Sequence, residues 1–210
     1  VNYMQSIVFN GESICPSKIV CVGRNYLDHI KELNNAIPEE PVLFIKPNSA
    51  ISDTLAIDSA RTLHYETELC LLIESQKIVA VGLGLDLTDR NLQSKLKQKG
   101  LPWEKAKSFD GAAVFSAFIP LENTNDLADL SFKLMINGNI KQHGVYEHML
   151  HKPEFLVQYI QTYFSLNDHD IVMTGTPEGV GEVKLNDVFE LSLYLKEKIV
   201  LTKQYVVGNR

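Results

Sequence analysis

Apolar residues in this chain fall in short runs rather than at sustained helical spacing. Residues 19–22, 42–45, 69–73, 78–85, 131–136, 170–173 and 188–195 are rich in Val, Ile and Leu and bounded by Gly, Asn and Asp, which is how strands read. Asn137-Gly138 sits between an apolar run and Asn139-Ile140 and predicts a tight two-residue hairpin, because both residues tolerate positive φ. Helical spacing is scarcer. Pro153 can open a helix in which Phe155, Leu156, Tyr159, Ile160 and Tyr163 share a face. Residues 91–99 stop at Gly100 with Pro102 just beyond, and residues 28–33 start on Asp28 as a cap. Strands and helices do not alternate regularly, so a doubly wound nucleotide-binding fold is disfavoured. The expectation is an α+β, β-rich single domain over residues 1–210 with few peripheral helices.

Composition narrows the function more than the fold. A length of 210 residues suits one domain with a sizeable core. A net charge of −6, spread along the chain without a basic tail, argues against nucleic acid as a partner. No apolar run is long enough to cross a bilayer, and the first residues lack a signal-peptide layout. Cys15, Cys21 and Cys70 are scattered and odd in number, as expected of buried, reduced thiols and a cytoplasmic protein. Small molecules and other proteins remain as partners.

The candidate chemistry lies in His64-Tyr65-Glu66-Thr67-Glu68-Leu69. Alternation along a strand projects His64, Glu66 and Glu68 from one face. Two carboxylates that close repel unless something positive lies between them. If the following strand pairs back, Asp86 at its end supplies a third oxygen ligand. Three carboxylates suit a hard divalent ion such as Mg²⁺ or Mn²⁺, whereas His64 as a ligand would make a softer site. Taken alone, Glu-x-Glu reads as a solvated strand face. His143, His148 and His151 lack a helical zinc pattern and read as surface or subunit-contact residues. Gly179-Val180-Gly181 lacks the ending of a phosphate loop. Signatures of a nucleophilic Ser or Cys are missing.

Six blocks in order decide between these readings. Gly23-Arg24-Asn25-Tyr26-Leu27-Asp28-His29 with Glu32, Phe44-Ile45-Lys46-Pro47 and the His64–Leu69 stretch come first. Asp86-Leu87-Thr88-Asp89-Arg90-Asn91, then Trp103 with Lys107-Ser108-Phe109-Asp110, and Thr174-Gly175-Thr176-Pro177-Glu178-Gly179-Val180-Gly181 follow. Together they resemble the fumarylacetoacetate hydrolase family, in its single-domain acylpyruvate hydrolase and oxaloacetate decarboxylase-like branch. The resemblance implies a mixed β-sandwich roll, a homodimer and a small 2-keto acid substrate. It implies Glu66, Glu68 and Asp86 as ligands of Mg²⁺ or Mn²⁺. His29 and Glu32, three apart on a short helix, become a water-activating dyad, and Lys107 a group that stabilises enolate charge. Arg24, Gln93 and Thr176 join the substrate-facing set. Lys46 and Arg90 either neutralise the carboxylates or substrate or make structural ion pairs. Two departures stand out: Asn91 replaces a closing Asp, and the stretch between Glu68 and Asp86 is short. The activity expected first is metal-dependent C–C hydrolysis of acylpyruvate or fumarylpyruvate-like diketo acids. Oxaloacetate decarboxylation or tautomerisation, or a hydroxymuconate-type isomerisation, is the alternative at the same metal site, and a non-catalytic binding protein comes third.

Overall fold

In the computed structural model, which describes residues 4–210, two β-sheets face each other across an apolar core. The larger has eight strands. Its central pair, Thr67–Glu74 and Lys77–Asp86, is antiparallel. On one side follow Ile171–Met173, Lys18–Gly23 and the edge strand Val42–Pro47. On the other lie Ala113–Phe115 and Ile51–Ser52, with Ile119–Pro120 pairing the far end of Lys77–Asp86. Pairings of both senses occur, so the sheet is mixed. The smaller sheet is an antiparallel set of four, Asn139–Val145, Leu130–Ile136, Val188–Leu195 and Lys198–Val206. This is the expected β-rich roll.

Alternation explains why the larger sheet reads as continuous apolar runs. Leu69, Leu71 and Ile73 turn into the core shared with Phe132, Leu134, Phe189 and Leu191 of the smaller sheet. Cys70 and Leu72 turn the other way, onto Ile19, Cys21, Phe115, Ile171 and Met173. Both faces are buried, so neither can be polar. In the smaller sheet only one face is covered, and Leu130–Ile136 alternates buried and half-buried residues. Its hairpin turns on Asn137 and Gly138, both at positive φ (51° and 77°), with Asn137 also donating to Asp187.

Among the described residues four α-helices are peripheral: α1 (Leu27–Glu32), α2 (Arg90–Gln98), α3 (Glu104–Lys107) and α4 (Pro153–Gln161). Helix α2 is capped by Asp89, whose carboxylate accepts from the Leu92 N–H. Three local expectations are corrected. Asp28 does not cap α1, which begins one residue earlier after an extended Tyr26 without a side-chain cap. Tyr163 lies past the end of α4, whose backbone closes at Thr162. Cys15 is exposed, while Cys21 and Cys70 are buried free thiols. No helix among the described residues is long and apolar enough to cross a membrane.

Candidate metal and catalytic site

The acidic residues meet because the two central strands pair in one register. Thr67 faces Leu85 and Glu68 faces Gly84, so the next residue along, Asp86, lies beside Glu66, and its N–H donates to the Glu66 carbonyl. Glu66 itself lies in neither flanking strand. The chain leaves a three-stranded sheet at Tyr65 and enters the eight-stranded sheet at Thr67. His64 therefore does not share a strand face with the two glutamates. It pairs with Thr88 and Glu182 in the small sheet and is no member of the acidic group.

Carboxylate oxygens of Glu66, Glu68 and Asp86 lie within 4.8 Å of one another, and all three residues are buried. Cations serve two of them. The Lys107 ammonium donates to Glu66 Oε2 (3.0 Å), Asp86 Oδ2 (2.8 Å) and Thr88 Oγ1 (2.7 Å). Arg90 donates to Glu66 Oε1 and, at 2.9 Å, to Gln93 Oε1. Burial opposes ionisation of Glu66, but Lys107 and Arg90 outweigh it and hold this carboxyl well below its ordinary range. Burial also disfavours charge on Lys107, yet Asp86 and Glu66 raise its pKa.

Glu68 has no cationic partner among the described residues. It accepts one hydrogen bond, from the Gly175 N–H at 2.8 Å. Burial first, then Asp86 and Glu66, push its carboxyl far above the usual value. Asp86 Oδ1 is buried without a hydrogen bond, although the Lys46 ammonium lies 2.7 Å away in ion-pair contact. An oxygen-only donor set with one uncompensated carboxylate and one further oxygen that makes no hydrogen bond fits a hard divalent cation. Gly175 is required here: φ is +100°, and a Cβ would meet Asn25 Cβ at 2.7 Å.

A small cavity opens over Glu66 and Asp86. Its wall includes Arg24, His29, Asn35, Phe44, Arg90, Gln93, Lys97, Trp103 and Lys107. His29 Nδ1 lies 3.2 Å from Glu32 Oε2, which leaves Nε2 as the ring nitrogen free to exchange a proton. Glu32 also accepts from the Gly179 N–H at 3.0 Å, tying α1 to the glycine-rich loop. Asn25 anchors the start of that segment by donating to the Thr174 and His151 carbonyls and accepting from the His151 N–H.

The expected site residues thus divide. Arg24, His29, Glu66, Asp86, Arg90, Gln93 and Lys107 line the cavity, and Glu68 lies behind them with the acidic group. Three others do not reach the cavity wall. Glu32 lies behind His29, in contact with its Nδ1. Lys46 is fully buried, in contact with Asp86 and donating to the Leu87 and Lys107 carbonyls, so it is an internal ion pair. The Thr176 hydroxyl donates to the Thr67 carbonyl and accepts from Gln142, each at 2.8 Å. It braces the acidic strand instead of facing the cavity.

Sequence reasoning gave no role to Lys97, Thr88 or Asn25. A signal for Lys97 existed. Arg90, Gln93 and Lys97 recur at i, i+3 and i+7, one face of α2. Outside the cavity, a groove of about 420 Å³ shares Phe44 and Trp103 with it but is lined mainly by apolar residues. It lacks the acidic group, so chemistry and not size identifies the site.

The model of the fumarylacetoacetate (FAA) hydrolase C-terminal family matches residues 18–207. The chain is 44% identical over 187 residues to the oxaloacetate tautomerase YcgM of Escherichia coli (strain K12), covering 81% of this chain and 85% of the relative. To the mitochondrial oxaloacetate tautomerase FAHD1 of Homo sapiens it is 40% identical over 191 residues, covering 84% and 86%. Among solved structures, the fumarylpyruvate hydrolase of Pseudomonas aeruginosa in complex with Mn²⁺ and pyruvate superposes with a TM-score of 0.90. Its identity is 26%, over all of this chain and 98% of that one.

Proposed function

The chain belongs to the fumarylacetoacetate hydrolase family, and on that premise we propose that it is a divalent-metal-dependent tautomerase of oxaloacetate, interconverting the enol and keto forms. One observation carries the reading: a histidine with a free ring nitrogen shares a cavity with an acidic group suited to a cation. The relatives named above supply the reaction. They favour tautomerisation over the C–C hydrolysis expected first from the sequence.

Tautomerisation needs one proton moved between C3 and the 2-oxygen, with negative charge stabilised in between. A Mg²⁺ or Mn²⁺ ion held by Glu66, Glu68 and Asp86 supplies Lewis acidity for that charge. His29 Nε2 takes the proton from C3, breaking that C–H bond, and the imidazolium so formed returns the proton to the 2-oxygen; the reverse order restores the keto acid. Glu32 keeps the ring oriented through Nδ1 and steadies the imidazolium while it exists. Lys107 adds a fixed positive charge at the cavity wall, and Arg90 and Gln93 hold each other in place. Nothing in this sequence of steps consumes water.

Hydrolysis is the second reading, favoured by the same His29–Glu32 pair and by the fumarylpyruvate hydrolase neighbour. Metal-stripped and Mg²⁺- or Mn²⁺-restored protein would be given enol oxaloacetate and, separately, acetylpyruvate. Metal-dependent decay of the enol absorbance without pyruvate release is the expected result. Cleavage of acetylpyruvate with no effect on the oxaloacetate enol would replace tautomerisation by hydrolysis.

A further inference from the structure

Charge accounting at the cavity leaves two cations without partners. Lys46, Arg90 and Lys107 are each in ion-pair contact with Glu66 or Asp86. Arg24 and Lys97 line the same cavity, yet neither side chain makes an ion pair or hydrogen bond among the described residues. Arg24 Nε is buried without an acceptor. The Lys97 ammonium has only the face of Trp103, 5.0 Å from the ring centroid. Burial first, and then Arg24, Arg90 and Lys107, bring the pKa of Lys97 down to about 8. Two half-buried cations repelling each other in one cavity are costly unless an anion comes between them. A divalent cation at the acidic group would increase the surplus of positive charge.

We propose that Arg24 and Lys97 form a second anion subsite, which takes the distal carboxylate of a dicarboxylic 2-keto acid. The acidic group and its cation address the 2-keto acid end. Arg24 and Lys97 address the other end, on a cavity wall that continues along α2 beyond Arg90 and Gln93. This deepens the tautomerase reading and rests on it for the identity of the substrate. It makes the enzyme selective for dianions over monocarboxylic keto acids, because a monocarboxylate leaves both cations unpaired.

Malate and lactate present the same 2-hydroxy acid end, and only malate carries the distal carboxylate. Calorimetry on the metal-loaded protein reads their affinities without turnover. Wild type should bind malate at least about tenfold more tightly than lactate. Lys97→Met and Arg24→Gln should each remove about fivefold or more of that preference, and Lys97→Arg should retain most of it. Thermal melts confirm that each variant is folded. No preference in wild type, or a preference unchanged in both variants, overturns the subsite. In parallel, kcat/KM for oxaloacetate and its 4-methyl ester is compared in the same proteins, and the variants should lose more for the diacid than for the ester. Malate selectivity that follows Lys97 without any oxaloacetate turnover would keep the subsite and sink the tautomerase reading. Turnover of oxaloacetate with a malate preference indifferent to both variants would do the reverse.

Discussion

Asp170 and the Glu66–Glu68–Asp86 group are buried carboxylates beside the same sheet, but their oxygens are served differently. Asp170 Oδ1 accepts from the Ser17 N–H (3.1 Å), the Ser17 hydroxyl (2.6 Å) and the Lys18 N–H (3.2 Å). Its Oδ2 accepts from the Asn167 N–H (2.9 Å) and the Lys18 ammonium. Burial opposes its ionisation, but these donors, Lys18 and Ser17 foremost, hold its pKa below the ordinary value. At the acidic group, Glu68 has a single donor and no cation, and Asp86 Oδ1 makes no hydrogen bond and has only the Lys46 ammonium in ion-pair contact. A carboxylate that closes a turn is saturated with donors; a carboxylate meant to bind is left short of them. Position in the fold does not separate the two cases, since both stand where a loop meets a strand. Donor count does.

The largest test of that contrast is Glu68→Gln. It keeps an acceptor for the Gly175 N–H while removing the carboxylate charge. Turnover should fall by about a thousandfold or more, because a ligand charge is lost and the Lewis acid with it. Calorimetry with Mn²⁺ should show binding lost or weakened by about a hundredfold. Wild-type affinity in this variant would mean that the group is a structural ion cluster like Asp170, and the contrast would collapse. A second test is stability. At 100 times the dissociation constant, a cation bound only by the native state adds about 2.7 kcal/mol. Wild type should therefore melt higher with Mn²⁺ than without, and Glu68→Gln should not respond. Asp170→Asn should still gain from the metal, as its hub lies outside the site.

How much of this was legible in the chain follows from how local each signal is. The central strands were readable because burial on both faces makes them continuous apolar runs. The Asn137-Gly138 hairpin was readable because its turn depends on those two residues. Lys198–Val206 was not anticipated: most of its residues are exposed or half-buried at a sheet edge, so no apolar run marks it. Ala113–Phe115 is only three residues long. Within the site, Glu66, Glu68 and Asp86 stood out as a carboxylate cluster that the family blocks turned into a ligand set, but the change of sheet at Glu66 was not legible. It depends on which strands pair with Leu63–Tyr65, a long-range fact absent from local alternation. The same limit left Lys46 open between substrate and a structural ion pair and turned Thr176 toward substrate, because their partners Asp86, Thr67 and Gln142 are distant in sequence. Lys97 was hidden by company: beside Lys95 and Lys99 it reads as part of a solvated helix end. Hydrolysis was placed ahead of tautomerisation, and the relatives reverse that order; both reactions call on the same metal and base, so the residues alone do not rank them.

The smaller effects belong to Asp170, where the opposite outcome is expected. Asp170→Asn replaces a charged acceptor by a neutral one that also brings two hydrogens toward donors. A loss of about 2 kcal/mol in stability should follow, with kcat/KM within about twofold of wild type because nothing in the cavity changes. The pH dependence gives the sign. The folded-state pKa of Asp170 is depressed, so the folded protein keeps this carboxylate ionised where an unfolded chain, with Asp near about 3.9, begins to bind the proton. Its contribution is fully present well above that value and is lost as pH falls through the lower folded value. The stability difference between wild type and Asp170→Asn, from denaturant titrations, should therefore be constant above about pH 5 and shrink below about pH 4. A difference that stayed constant into acid would mean that the hub stabilises through shape and not through charge. Donor saturation would then no longer distinguish it from the acidic group.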